Sequence, residues 1–491
     1  MKNKTHIYVT NMLIEDLQAN TIVLPGVGTF APPGEVRDAV LHYPSAFRAG
    51  SIGPDFFPDY ILGQGTIQKK NSGKWVDLMF RRLQDSSPSE REKNLAYALG
   101  FMIHAAGDMF GHGYVDSYAQ GWWPAYAEWV SDPATAKIAL RHILIETYMD
   151  QRVPASTNLS LDPPLGFIRD VFTCSEALDL MEEQGADNLF DSPLWFFMDL
   201  KRRVQRELAE ETTTEITGYY QSWERDIDQA IDLWLQDWAM LAQIFSSNDK
   251  NKFYRVKNLI KPGVNQLMPL ITIPEELATV VTWSEHLEPL WDLENYLEGI
   301  LKDYVNSLAQ AAFSRTFPTW DVAVSVVEEM LANPVIFLDN GSVFQQRYMC
   351  RKLDADFGNY GKSSDTTAQS FHAVQQCVNM AKLCLLGTDN LNEIAGTAPH
   401  IDIQQPLLGE TGLAIFADPN LKKNLWAPLF EPAQRLVVLP PLGLDVVENE
   451  SLPATSDLTS LTVDLEVRPE DQDAHERTES LFLTSLLEGG A

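Results

Sequence analysis

Residues 99–115 read LGFMIHAAGDMFGHGYV, an apolar strip broken by His104, Asp108 and His112. The three lie four residues apart. An α-helix turns by about 100° per residue, so a step of four lands about 40° past a full turn. Their side chains therefore leave one helix face, about one turn apart, and present two imidazoles and a carboxylate to a common volume. Burying Asp108 in such a strip without a partner would be costly. The pattern predicts either a metal site or a buried polar network. Gly107, Gly111 and Gly113 interleave with these residues. Each costs about 1 kcal/mol in a helix interior, which implies close approach by a ligand, another backbone or a packed helix.

Outward from this strip, the helical pattern spans 93–116. The segment 134–151, ATAKIALRHILIETYMDQ, is a second helix, with Ser131 or Asp132 as N-cap and Pro133 in the first turn. It repeats the four-residue logic with His142 and Glu146, and Asp150 stands one turn further. Two helices presenting His, Asp and Glu to a shared cavity are suited to hold two or three zinc ions. A helix is also expected at 5–17, where Ile7, Val9 and Thr10 are β-branched. Residues 44–66 carry Gly and Pro punctuation and read as an irregular loop.

Helical patterns continue through 192–246, 274–313, 319–332 and 364–386. After about residue 395 short runs such as LAIFA, RLVVL and LTVDLEV suggest strands between turns. The expected fold is mainly α. A helical domain over 1–394, which the resemblance described below makes a metallohydrolase domain, would comprise a metal-ligand core (1–151) and a helical extension (152–394). A smaller β-rich, acidic region would fill 395–491.

The chain has 491 residues and a formal net charge of −31. Such charge repels phosphate backbones and argues against nucleic acid as a partner. It argues equally against docking on anionic lipid through a basic patch. Twelve acidic against two basic side chains fall in 441–491, a solvated charge run that fits no EF-hand spacing. The four cysteines, Cys174, Cys350, Cys377 and Cys384, form no CxxC motif and are expected to be buried free thiols. The opening MKNKTHIYVTNMLIEDL has no apolar h-region, and no run of 18 apolar residues follows. No signal peptide and no transmembrane segment are expected. The chain is expected to be cytoplasmic or secreted by a signal-independent route.

Four blocks, in order, resemble the zinc-dependent phospholipase C family over roughly residues 4–151. THIYVTNML resembles its opening helix, HYPSAFRAGSIGPD the block ending in a ligand Asp, LGFMIHAAGDMFGHG its central helix, and RHILIETYMD its final ligand pair. The resemblance implies a largely helical enzyme with up to three zinc ions in a cleft, held by His6, Asp55, His104, Asp108, His112, His142 and Glu146. Asp55 would also serve as the catalytic general base. Family members usually carry a further ligand His between the Asp block and the central helix. Here no His occurs between 42 and 104, and Lys74 of SGKW stands in its place. A protonated lysine cannot ligate a metal, which leaves three alternatives: a weakened site at Asp55, His104 and Asp108, a ligand from Gln64 or Gln68, or a Lys74 charge that contacts substrate phosphate in place of an ion.

The implied reaction is hydrolysis of the glycerol–phosphate bond of a phospholipid at a membrane surface, with phosphatidylcholine favoured because it is zwitterionic. Phe56 and Tyr60, with Phe57 between them and Trp122, Trp123 and Tyr126 further on, are candidates to cage the quaternary ammonium or enter the lipid surface. The alternative for each aromatic cluster is ordinary core packing. Two rival functions are a single-strand-specific zinc nuclease and a non-enzymatic or toxin-like partner protein with a degenerate metal site.

Overall fold

The computed structural model describes residues 3–24, 28–53, 55, 72–120, 123–124, 128, 131–154, 158–183, 193–210, 214–246, 302–303, 305–312, 319–339, 349–350, 353, 373–386 and 390. The described residues are mainly helical. The strand runs expected after 395 lie outside the described residues.

Helix α1 covers Asn3–Gln18, despite its β-branched residues, because Val9, Leu13, Ile14 and Leu17 bury one face in the main core while Ile7 is buried in a second cluster. A short antiparallel hairpin follows, β1 (Ile22–Leu24) with β2 (Gly28–Phe30), in the register Val23 opposite Thr29. Its strands of three residues are too short to leave a readable alternation. Helix α2 is Gly34–His42 and α3 is Pro44–Ser51. The irregular loop expected at 44–66 is thus corrected at its start. Pro44 occupies the first helical turn, where its missing N–H costs nothing.

Helix α4 (Ser72–Arg82) precedes the 29-residue α5 (Arg91–Ala119), which carries the strip of residues 99–115. Helix α6 is Pro133–Arg152. Its N-cap is Asp132, whose carboxylate accepts from the amides of Ala134 and Thr135. Then come α7 (Leu165–Phe172), α8 (Ser175–Glu183), α9 (Pro193–Glu210) and α10 (Thr214–Ser246). Further on lie α11 (Trp320–Ala332), α12 (Pro334–Asp339) and α13 (Ala373–Cys384).

Helix α5 is the hub. Helices α1, α2, α3, α4, α6 and α13 all pack on it. Where α3 crosses α5, Gly50 and Gly100 face each other's helix backbone, and a Cβ on either would overlap the partner's carbonyl oxygen. Trp75 of α4 stacks on Phe172 of α7 at 5.5 Å, and Phe101 of α5 meets the same ring at 6.4 Å. Helix α13 lies against α5, and Cys377 Sγ donates to the Gly107 carbonyl at 3.1 Å.

The late helices also hold the early ones through polar contacts. Lys382 Nζ, nearly buried, meets Asp16 Oδ2 at 2.8 Å and donates to the Val23 carbonyl at 3.1 Å. Tyr148 donates to the Cys350 carbonyl, and Gln151 to those of Leu331 and Ala332. Among the described residues the main apolar core runs from Val9 to Leu386, and Ile7, Ile52 and Ala242 form a small second cluster. All four cysteines are free; Cys350, Cys377 and Cys384 are buried and Cys174 half-buried. Among the described residues no helix is long and apolar enough to cross a membrane.

Candidate metal centre

The helical spacing of α5 does what its period requires. His104, Asp108 and His112 all point to one side of the helix and all are buried. Helix α1 brings His6 onto Asp108, with Nε2 at 3.1 Å from Oδ1. His104 Nε2 lies 2.8 Å from Asp108 Oδ2. The His6 and His104 rings stack with centroids 4.0 Å apart. One turn along α5, His112 Nε2 is 3.5 Å from Glu146 Oε1, and His142 Nε2 is 3.3 Å from the same oxygen. The His112 and His142 rings meet edge to face.

Two donor groups result: His6, His104 and Asp108, and His112, His142 and Glu146. Asp108 joins them, since its Oδ1 also lies 3.7 Å from His112 Nε2. Asp55 stands over the first group, 3.7 Å from His6 Nε2 and 4.0 Å from His104 Nε2. Its side chain is 16% exposed, against 1% for Asp108. Asp55 is therefore the carboxylate of the first group that solvent or substrate can reach.

The donor set fits zinc. Each group offers two imidazole nitrogens and a carboxylate oxygen, and catalytic zinc takes three such ligands with one position left open. Ligands at ~2.0–2.1 Å in a tetrahedron lie about 3.3 Å apart. Separations of 2.8, 3.1, 3.3 and 3.5 Å within the groups bracket that value. His6 Nε2 is buried and faces the Asp108 and Asp55 carboxylates without a well-aligned hydrogen bond, as a nitrogen placed for a metal would. His104 Nδ1 donates to the Ser51 carbonyl at 2.8 Å, which leaves Nε2 as the lone-pair nitrogen aimed at the group.

Electrostatics prepare the groups for cations. Burial, reinforced by the neighbouring His104, lowers the His6 pKa to about 4 and keeps that ring neutral. Burial also opposes charge on His104, but Asp108 and Asp55 outweigh it and raise its pKa. Burial pushes against ionisation of Asp108, yet His112, His104 and His6 hold its carboxyl well below the usual range. Glu146 is likewise held well below, against burial, with His142 and His112 among the causes. Both carboxylates are ionised wherever the protein is folded near neutrality.

All seven expected metal residues come together. Of the expected substrate residues, Phe56 and Tyr60 lie outside the described residues, as do Phe57, Gln64, Gln68, Trp122 and Tyr126. Lys74 is on α4, and its side chain also lies outside the described set. Trp123 is half-buried and sets its ring edge to face with His142 at 4.9 Å, a contact with the second donor group itself. Asp150, in step with His142 and Glu146, belongs to neither donor group and bonds to Thr5 on α1. Helical spacing showed its face but not the neighbour it meets. The Ser51 carbonyl was not legible at all, because a backbone acceptor leaves no residue-type signal.

The central helix thus contributes to two buried His/His/carboxylate groups, each able to hold a metal ion. Residues 5–169 match the family model described as Zinc dependent phospholipase C. This stretch contains all seven donors. No curated protein and no solved structure matches the chain. The family match and the donor groups together support a zinc-dependent, phospholipase C-like function.

Proposed function

We propose that the protein is a phospholipase C that hydrolyses the glycerol–phosphate bond of phosphatidylcholine, giving diacylglycerol and phosphocholine. The observation that carries this reading is the position of the partly exposed Asp55 over a buried donor group, with the second group joined to it through Asp108. Zinc held there supplies Lewis acidity toward the phosphate and makes water nucleophilic near neutral pH. Asp55 is placed to take the proton of the attacking water, since its exposure and its distance from His6 and His104 put it at the mouth of the group. Asp108 and Glu146 stay ionised and hold the imidazoles in place.

Net charge supports the choice of substrate class. A chain at −31 gains nothing by approaching an anionic bilayer, whereas a zwitterionic head group carries no net repulsion. The same charge disfavours a single-stranded nucleic acid. The test is zinc content per chain together with a head-group panel. Two tightly bound ions, activity abolished by a chelator and restored by zinc, and choline preferred over serine head groups are expected. Full activity in a metal-free preparation, or cleavage of single-stranded DNA in preference to lipid, overturns the proposal.

A further inference from the structure

Asp150 lies one helical turn beyond Glu146 on α6, but its carboxylate faces the start of α1. Oδ1 accepts from the Thr5 amide at 2.9 Å and from the Thr5 hydroxyl at 2.6 Å. Oδ2 accepts from the Lys4 amide at 3.4 Å. The first amides of a helix have no carbonyl of their own turn to bond. Asp150 thus supplies from α6 the acceptor that a local capping residue ordinarily provides. The residue it grips is fully buried and directly precedes His6. On the other side, Thr10 donates its hydroxyl to the His6 carbonyl at 2.7 Å. The His6 backbone is held from both directions, while its Nε2 faces Asp108.

We propose that Asp150 is a positioning residue that fixes His6 in the first donor group. One helix, α6, would then contribute His142 and Glu146 to the second group directly and set the geometry of the first through Thr5. The inference rests on reading the groups as zinc sites. Groups one step removed from a metal typically alter its affinity by ~10–100-fold.

The experiment measures zinc stoichiometry and affinity of the full-length protein by competition with a chromophoric chelator. Wild type, D150A, D150N, T5V, H6A and the H6A/D150A double variant are compared. Wild type is expected to hold two ions. D150A should bind one of them ~10–100-fold more weakly and leave the other unchanged. D150N, which keeps an acceptor oxygen, should recover most of the loss, and T5V should lose part of it at the same ion. D150A should add nothing once His6 is gone. Wild-type affinity for both ions in D150A overturns the proposal. So does equal weakening of both ions, or a further loss in the H6A background, since either marks a general effect on folding. If D150A fails to fold, T5V decides: no change at either ion overturns the proposal. A wild-type protein without bound zinc would instead overturn the zinc reading itself.

Discussion

Gly50 and Gly100 meet where α3 crosses α5, each lying where any side chain on the other helix would strike backbone. The contact has a chemical result one residue along α3 and one turn along α5. It brings the Ser51 carbonyl to 2.8 Å from His104 Nδ1. Replacing Gly100 by Ala forces the helices apart, and overpacking of this kind costs typically ~1–3 kcal/mol or more. G100A is expected to lower Tm and to weaken zinc at the His104 group. Calorimetry and chelator competition on one preparation check both, and an unchanged Tm would refute the crossing as described.

Asp108 touches both donor groups, whereas Glu146 serves only the second. D108A should therefore disturb both ions and E146A chiefly one. Loss of activity in D108A should exceed the ~10–100-fold typical of residues that only orient ligands. Zinc counted by atomic spectroscopy across the two variants tests the difference. Equal losses would show that Asp108 does not join the groups.

Asp55 is more exposed and more distant than the other donors. D55N is expected to keep most of its zinc but to lose ~10²–10⁴-fold in kcat, the usual contribution of a positioned acid–base group. Single-turnover kinetics beside metal analysis separates the two effects. A D55N protein with lost zinc and unaltered kcat per bound ion would make Asp55 a ligand alone.

Asp132 caps α6, the helix that carries His142 and Glu146. Its pKa is lowered, first by the Thr135 hydroxyl and then by the Ala134 and Thr135 amides. A carboxyl depressed in the folded state stabilises above its unfolded pKa, and the effect disappears as pH falls through the folded value. D132A should thus lower Tm at pH 7 and have little effect near pH 2. Thermal melts across that range would show a pH-independent difference if the cap made no contribution.

The shared face of His104, Asp108 and His112 was legible because helical period turns a four-residue spacing into a common face, and because the three interrupt an apolar strip. Neither signal says what lies opposite. His6 could be joined to Asp108 only by resemblance, since α1 and α5 are far apart in sequence. Asp150 shared the period of His142 and Glu146, yet its partner is Thr5, a contact that no local pattern encodes. The helix at Pro44–Ser51 was hidden by residues that usually end helices. Its proline sits at the one turn that tolerates it, and Gly50 serves a crossing with a helix fifty residues away.

Cys377 meets Gly107 across 270 residues of sequence. All seven donors precede residue 147, but the helix that packs on α5 at Gly107 ends at Cys384. During synthesis at ~5–20 residues per second, the donors would leave the ribosome tens of seconds before that helix arrives. Over that interval the apolar flank of α5 that α13 covers in the folded protein is still open, and the length of the intervening chain sets how long it stays so.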